Sequence, residues 1–439
     1  MTPKISMINS ASEIKPWETR LIAGLLFTAV LFAVLPSGLS WDYLEEDVVQ
    51  VGGSLAYQLQ WGSVFLVSGL VVLHFRVTAW SNLKAMSPFL WMMCIYAALS
   101  MLWSPVVSVT LKRSIQLVGL VVFCLAIQSD RRPWTHFVYV MALALTSVEL
   151  VSAFVSIFIP SLGIDAYFGY AWRGIVANKN TLGGIGALTT LLWAGLGHVS
   201  SLRKSVYWSG LLLSLLSVVM STSSTSLLIT VVGLFSFWLL RKQHVGSVLW
   251  LPRFLVVMGL IIVVLLHVFF IYEGRLPERY ELLEPIANLF GKSADLTGRS
   301  DIWAPLFIEI QKHWFLGIGY GAFWLGPGSA SQPVIDALPW TPYQGHNGYL
   351  DIFNELGVVG LVLFSFILIS HILNLIRLTR IDRQAGALFA SILVTFLFSN
   401  FTESTAFRGI FIEFMLFLLL VISASSILNQ PLSQEQVLR

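Results

Sequence analysis

Residues 356–376 read LGVVGLVLFSFILISHILNLI, a run without one aspartate, glutamate, lysine or arginine. As an α-helix rising 1.5 Å per residue it reaches about 30 Å, the thickness of a bilayer's hydrocarbon core. The apolar residues are continuous rather than alternating. Backbone amides in hydrocarbon must be satisfied within a helix or a closed barrel, so the run is a helix and a porin-like barrel is excluded. The whole chain agrees. Of its 439 residues 56% are hydrophobic and 11% charged, and the mean hydropathy is +0.79, which leaves too little polar surface for a water-soluble globule.

Working outward, further apolar runs predict helices near 20–36, 55–75, 87–103, 113–128, 134–160, 181–199, 206–220, 224–240, 252–272, 385–402 and 409–427. The fold class is therefore an all-α polytopic membrane protein of about twelve transmembrane helices. The first run is long and lacks a small-residue cleavage pattern, so it reads as a retained helix and not a signal peptide. The seventh and eighth runs are separated only by the polar pivot Ser221, Thr222, Ser223, Ser224, Thr225, and one kinked helix is the alternative to two. Three parts follow: residues 1–272 as an N-terminal bundle of about nine helices, 273–356 as a large polar loop, and 357–439 as a C-terminal bundle of about three.

Charge asymmetry orients the bundle. Arg76 and Lys84, Arg131 and Arg132, Arg203 and Lys204, Arg241 and Lys242, and Arg377, Arg380 and Arg383 fall on one set of short connections. By the positive-inside rule that side is cytoplasmic, and with twelve spans both termini lie there. The acidic cluster Asp42, Glu45, Glu46 and Asp47, the pivot and the large loop face outward. The net charge of +3 implies no nucleic-acid partner. Cys94 and Cys124 both sit in apolar runs, so neither a disulfide framework nor a paired-cysteine metal site is available.

The concentrated chemistry lies on three outward connections. In the large loop, Ile302, Trp303, Leu306, Phe307, Ile310, His313 and Trp314 recur at helical spacing after Gly298-Arg299-Ser300-Asp301. This predicts an amphipathic helix too short to span, lying in the membrane interface with Glu309 and Lys312 off its apolar face. Arg299 at its N-terminal end, together with the helix dipole, attracts an anion; the alternative is ordinary lipid phosphate. Gly317, Gly319, Gly321, Gly326 and Gly328 follow, interleaved with Tyr320, Phe323 and Trp324, and Trp340 lies beyond, aromatic faces able to stack on sugars or line a lipid boundary. The glycine spacing is not a dinucleotide fingerprint, because no βαβ context surrounds it.

The loop ends in His346-Asn347-Gly348-Tyr349-Leu350-Asp351 and runs on to Glu355. On a helix Asn347, Asp351 and Glu355 share a face, with Asn354 beside them, leading polar groups into the bundle. An imidazole at the head of that stripe can take a proton from a hydroxyl at neutral pH, which lysine or arginine cannot easily do. His74, His198, His244, His267 and His371 read as packing or snorkelling residues. On a second connection Arg173 precedes Asn178-Lys179-Asn180, donors for a second anion site, although helix capping alone explains the asparagines. Glu149, inside the fifth helix, is an isolated intramembrane acid, either paired or part of a proton path.

Gly298-Arg299-Ser300-Asp301-Ile302-Trp303, Gly317-Ile318-Gly319-Tyr320-Gly321-Ala322-Phe323-Trp324 and His346-Asn347-Gly348-Tyr349-Leu350-Asp351, in that order, resemble the O-antigen ligase and polymerase superfamily. Leu102-Trp103-Ser104-Pro105, Ala177-Asn178-Lys179-Asn180 and the pivot are similar to its exopolysaccharide-polymerase branch, the succinoglycan type. The resemblance implies a GT-C-like, metal-independent membrane glycosyltransferase without cofactors, in the bacterial inner membrane with its active face periplasmic. Its substrates would be polyprenyl-diphosphate-linked glycans, both donor and acceptor. By the same resemblance Arg173 and Arg299 hold the diphosphate and His346 activates the acceptor hydroxyl. Lys179, Asn180, Asn347, Tyr349 and Asp351 support them. Membrane lipid is a further partner, and a polysaccharide chain-length regulator or export machinery are candidates. Ligases of the superfamily commonly carry an arginine beside the pivot; here the stretch reads Met220-Ser221-Thr222-Ser223-Ser224-Thr225-Ser226. That departure favours polymerisation over transfer to lipid A core. The alternatives are a ligase and a lipid-linked oligosaccharide flippase, and no internal repeat places Arg173 and Arg299 equivalently, as a transporter of inverted halves would.

Overall fold

The computed structural model describes residues 15–36, 54–130, 132–165, 170–197, 199, 202–242 and 299–429. The predicted span 252–272, the acidic cluster 42–47, residues 273–298 of the large loop, Arg131, His198, His244 and His267 lie outside the described residues. Every other predicted span coincides with a helix. These are α1 (Pro16–Val34), α2 (Leu55–His74), α4 (Pro88–Leu99), α5 (Val107–Ile127), α6 (Trp134–Phe158), α7 (Lys179–Leu196), α8 (Lys204–Met220) and α9 (Ser224–Lys242), then α12 (Gly348–Ile381), α13 (Arg383–Ser399) and α14 (Ile412–Asn429). A short helix, α3 (Arg76–Ala85), precedes α4, and the loop holds α10 (Arg299–Lys312) and α11 (Gln332–Asp336). Among the described residues seven helices are long and apolar enough to cross a membrane, or eight if the bent pair α3 and α4 is one span.

Burial orders the bundle. The most hydrophobic window of α14 is 78% buried and that of α2 only 22%, so α14 stands in the middle and α2 at the rim. Along α2, Leu66, Leu70 and Leu73 are exposed on one face, as suits a helix whose solvent is lipid. Within the bundle, polar side chains bond across helices: Trp193 donates to Thr146 Oγ1 at 3.0 Å and Asn82 donates to the carbonyl of Gln128 at 3.0 Å.

The connection with Arg76 and Lys84, expected to be a loop, is the helix α3, which meets the helical segment Pro88–Leu102 at 93°. The pivot at 221–223 is a tight turn between two separate helices. Ser221 donates back to the carbonyl of Val218 at 2.8 Å, closing α8, and Thr222 adopts φ 49°. From there α8 packs on α7, whereas α9 packs mainly on α13. Gly183 of α7 lets both α8 and α9 come close, because a Cβ there would meet the hydroxyls of Ser221 and Ser226 at 2.6 Å.

A two-stranded antiparallel ribbon, β1 (Ile164–Asp165) and β2 (Ala171–Trp172), joins α6 to α7. It lies at the end of the bundle that also holds the pivot, the start of α12 and the connection 400–411. The opposite end gathers the basic residues Arg76, Lys84, Arg203, Lys204, Arg377 and Arg383.

Candidate functional site

The site is built on a broken helix. Asn347 caps α12, its side-chain oxygen accepting from the amides of Tyr349 at 3.1 Å and Leu350 at 3.2 Å. One helical stretch later Gly357 takes φ 63° and ψ −166°, which releases backbone groups that a lipid environment would leave unsatisfied. The segment following α10 supplies the partners. Ile318 N donates to Asn354 O at 3.0 Å, Gly319 N to Glu355 O at 2.9 Å, and Val358 N to Trp314 O at 2.9 Å. Gly317 and Gly357 face each other at this seam, and a Cβ on either would overlap the opposing backbone.

The loop has its own core. Ile302, Leu306 and Ile310 of α10 pack on Phe323, Trp324 and Val334. This corrects the expected face in two ways: Glu309 is buried beside that stripe, whereas Phe307 and Trp314 are exposed, together with Ile308, Phe315 and Leu316. The apolar surface left outward is therefore rotated from the predicted one. Tyr320, Phe323 and Trp324 are likewise buried, so they pack the loop and are not sugar platforms; Trp340 remains exposed.

Asp351 is the hub of this loop. It accepts from Trp324 Nε1 at 2.8 Å and from Gly345 N at 3.2 Å, and pairs with Arg408 at 3.1 Å. Arg408 also donates to the carbonyl of Tyr343. Burial lowers the Arg408 guanidinium from its ordinary value, opposed by the charges of Asp351 and Glu355. Glu355 in turn accepts from Gly321 N at 2.8 Å. The acidic stripe read from the sequence thus ties the loop, the helix break and the 400–411 connection together, and Asp351 acts through these contacts.

At the head of α12 stands His346, with φ 46°, a region that non-glycine residues occupy at a cost of about 1 kcal/mol or more. Its Nδ1 lies 3.2 Å from Oε2 of Glu403, and the two side chains are 25% and 27% exposed. The connection carrying Glu403 is fastened to the same helix start: Gly348 N donates to Asn400 O at 2.9 Å and Asn347 N to Ser404 Oγ at 3.0 Å. Tyr349 donates its hydroxyl to Leu397 O at 2.8 Å. With Nδ1 carrying the proton toward the carboxylate, Nε2 is the nitrogen able to accept one. Glu403 has no motif around it, and sequence reasoning missed it. The signal that marks it is its place on a short connection that helix counting puts on the same side as His346.

Beyond Glu403 a cleft of about 80 Å³, open to solvent, enters the bundle between α7, α9, α13 and α14. Its walls carry Ser223, Thr225, Ser226, Thr395, Ser399 and Thr405. Glu403 and Glu413 supply two carboxylates, Asn180 an amide, and Ala187, Leu188, Ile229, Ile392 and Phe396 an apolar floor. Among the described residues no lysine or arginine lines it.

The structure brings the pivot and Asn180 around this cleft, and His346 joins it only through Glu403. Arg173 follows β2, its backbone amide donating to Gly163 O and its Nε to Leu162 O, both at 2.9 Å, and it does not line the cleft. Asn178 caps α7 by accepting from Thr181 N at 3.0 Å, and Lys179 is the first residue of that helix. Arg299 is the first residue of α10, and its side chain lies outside the described residues. Glu149 is wholly buried in α6, beside Thr189 of α7. His74 bonds Glu18 at 2.8 Å, and His371 packs against Phe417 with neither ring nitrogen hydrogen-bonded, so it is a packed histidine but not a satisfied one.

Two comparisons bear on this arrangement. Residues 209–365, from within α8 through His346 and into α12, match the model of the family described as O-antigen ligase. Over 353 aligned residues the chain is 24% identical to the exopolysaccharide production protein ExoQ of Rhizobium meliloti (strain 1021), with 75% of each chain covered. Both findings support the O-antigen ligase and polymerase superfamily and its exopolysaccharide branch.

Proposed function

With the O-antigen ligase and polymerase superfamily, exopolysaccharide branch, as the setting both comparisons support, we propose that the chain is a polysaccharide polymerase. It transfers a glycan from a polyprenyl-diphosphate donor to a lipid-linked repeat-unit acceptor. The observation that carries this reading is His346 held by Glu403, a carboxylate that itself lines a cleft rich in hydroxyls. His346 Nε2 takes the proton of the acceptor hydroxyl; the oxygen attacks the anomeric carbon of the donor sugar, and the bond to the diphosphate oxygen breaks with inversion. Glu403 orients the ring and stabilises the imidazolium that forms. Arg173 and Arg299 hold the departing diphosphate, each well-placed donor contributing on the order of 3 kcal/mol in a partly dehydrated site. Guanidiniums supply the charge a divalent cation would otherwise bring, so the reaction is metal-independent.

The fold that serves this chemistry is GT-C-like with twelve spans, the ninth being 252–272, in the three parts 1–272, 273–356 and 357–439. The basic end of the bundle faces the cytoplasm with both termini, and the site faces the periplasm across the bacterial inner membrane. A chain-length regulator or export machinery would meet the same face. Transfer to lipid A core, the ligase reading, is disfavoured by the pivot, which carries hydroxyls where ligases commonly place an arginine. Incubating the reconstituted chain with lipid-linked repeat units and sizing the glycan tests the proposal.

A further inference from the structure

His346 keeps a left-handed backbone, φ 46°, and such a conformation persists only where the surroundings over-determine it. On its C-terminal side the restraint is the docking of Asn400 and Ser404 onto the start of α12. On its N-terminal side it is Gly345, held by both backbone groups. The Gly345 amide donates to Asp351 Oδ2 at 3.2 Å, and its carbonyl accepts from Trp303 Nε1 of α10 at 2.8 Å. A side chain has no room there, since a Cβ would meet Asp351 Oδ1 at 2.6 Å.

Arg408 holds this N-terminal restraint in place. Its Nη1 donates to Asp351 Oδ2 at 3.1 Å and its Nη2 to the Tyr343 carbonyl, so one guanidinium grips the segment 343–345 both directly and through the carboxylate. A planar fork meets two acceptors at a fixed separation, which a lysine ammonium does not. The backbone of Arg408 is itself fastened, because Arg113 of α5 donates to its carbonyl at 3.4 Å. Earlier in the same connection Glu403 bonds the imidazole Nδ1. One connection therefore sets both the ring of His346 and the backbone from which it projects. Arg408 does not line the cleft beyond Glu403.

We propose that Arg408 is a positioning residue for glycosyl transfer: through Asp351 and the 343–345 backbone it aims His346 at the acceptor hydroxyl, without itself touching substrate. This rests on the glycosyl-transfer reading above. Loss of the fork acts on turnover and leaves substrate capture in place.

The test uses the full chain in nanodiscs. Arg408→Lys keeps the charge and loses the fork. It is expected to lower kcat about tenfold or more, as a displaced catalytic group does, while KM for lipid-linked repeat units and polyprenyl diphosphate affinity stay within about twofold. Gly409→Ala, whose Cβ would meet Arg113 Nη1 at 3.0 Å, disturbs the Arg408 backbone with no change of charge. It should show the same split more weakly, and it carries the test if Arg408→Lys does not fold. A readout free of activity is the side-chain nitrogen NMR signature of His346 in histidine-labelled chain, assigned by its absence from His346→Asn. The unsubstituted chain should show one tautomer, protonated at Nδ1 toward Glu403, and Arg408→Lys a mixture. Unchanged kcat in the folded variant, or a loss carried by KM, would overturn the positioning role, and so would an unaltered single tautomer. Failure of the unsubstituted chain to bind polyprenyl diphosphate would instead remove the glycosyl-transfer reading, and the tautomer would still decide whether Arg408 holds His346.

Discussion

His346 Nδ1 and Glu403 Oε2 stand 3.2 Å apart, joining the start of α12 to the connection between α13 and α14. Under the proposed mechanism, a carboxylate there fixes which imidazole nitrogen faces the acceptor. Glu403→Gln is expected to lower kcat by about 10- to 100-fold, as loss of a partner that orients a functional imidazole does. Polyprenyl diphosphate affinity should be unchanged, and Glu403→Asp should restore part of the rate. Steady-state kinetics with lipid-linked substrates checks this; equal rates for Gln and wild type would remove the orienting role.

The backbone of His346, at φ 46°, separates strain from chemistry. Asparagine tolerates that region better than alanine does. His346→Asn should therefore keep the wild-type melting temperature and lose about 10²- to 10⁴-fold in turnover, the usual contribution of a general base. Differential scanning fluorimetry alongside turnover measures both.

Arginine's planar fork grips a diphosphate in a way that lysine's point charge does not. Arg173→Lys and Arg299→Lys should each lower kcat/KM by about 10- to 100-fold, corresponding to partial loss of a donor worth about 3 kcal/mol. Full activity in both would argue against clamping of the leaving group by these residues.

At the seam between the loop and the helix break, Gly357→Ala has no room: its Cβ would overlap the Phe315 carbonyl, and its φ of 63° is unfavourable for alanine. Destabilisation by about 1–3 kcal/mol is expected. Hydrogen exchange should rise in residues 314–321 and 354–358, while α5 and α14 keep their protection. Uniform loosening of the whole bundle would contradict a local seam.

The spans were legible because a bilayer demands long continuous apolar runs, and 356–376 shows this without ambiguity. The place of His346 at a helix start, ahead of the polar residues Asp351, Asn354 and Glu355, was legible from their helical spacing. Glu403 was not: it lies 57 residues further on, and only the docking of Asn400 and Ser404 onto the helix start brings it to the ring. The facing of α10 was misjudged for a related reason. Helical periodicity marks an apolar sector but not which part of it a neighbouring core takes, and Phe323, Trp324 and Val334 take the side of Ile302, Leu306 and Ile310. The same core removed Phe323 and Trp324 from any role in sugar stacking. The turn after α8 was not legible either, since Thr222 at φ 49° reverses the chain where hydropathy alone allows a kinked helix.

The most direct measurement is the size distribution of glycan made by the purified chain in proteoliposomes supplied only with lipid-linked repeat units. A ladder of products several repeat units long, absent with His346→Asn, is the predicted result. Consumption of repeat units only after lipid A core is added, or movement of intact repeat units across the bilayer with no change in size, would contradict a polymerase.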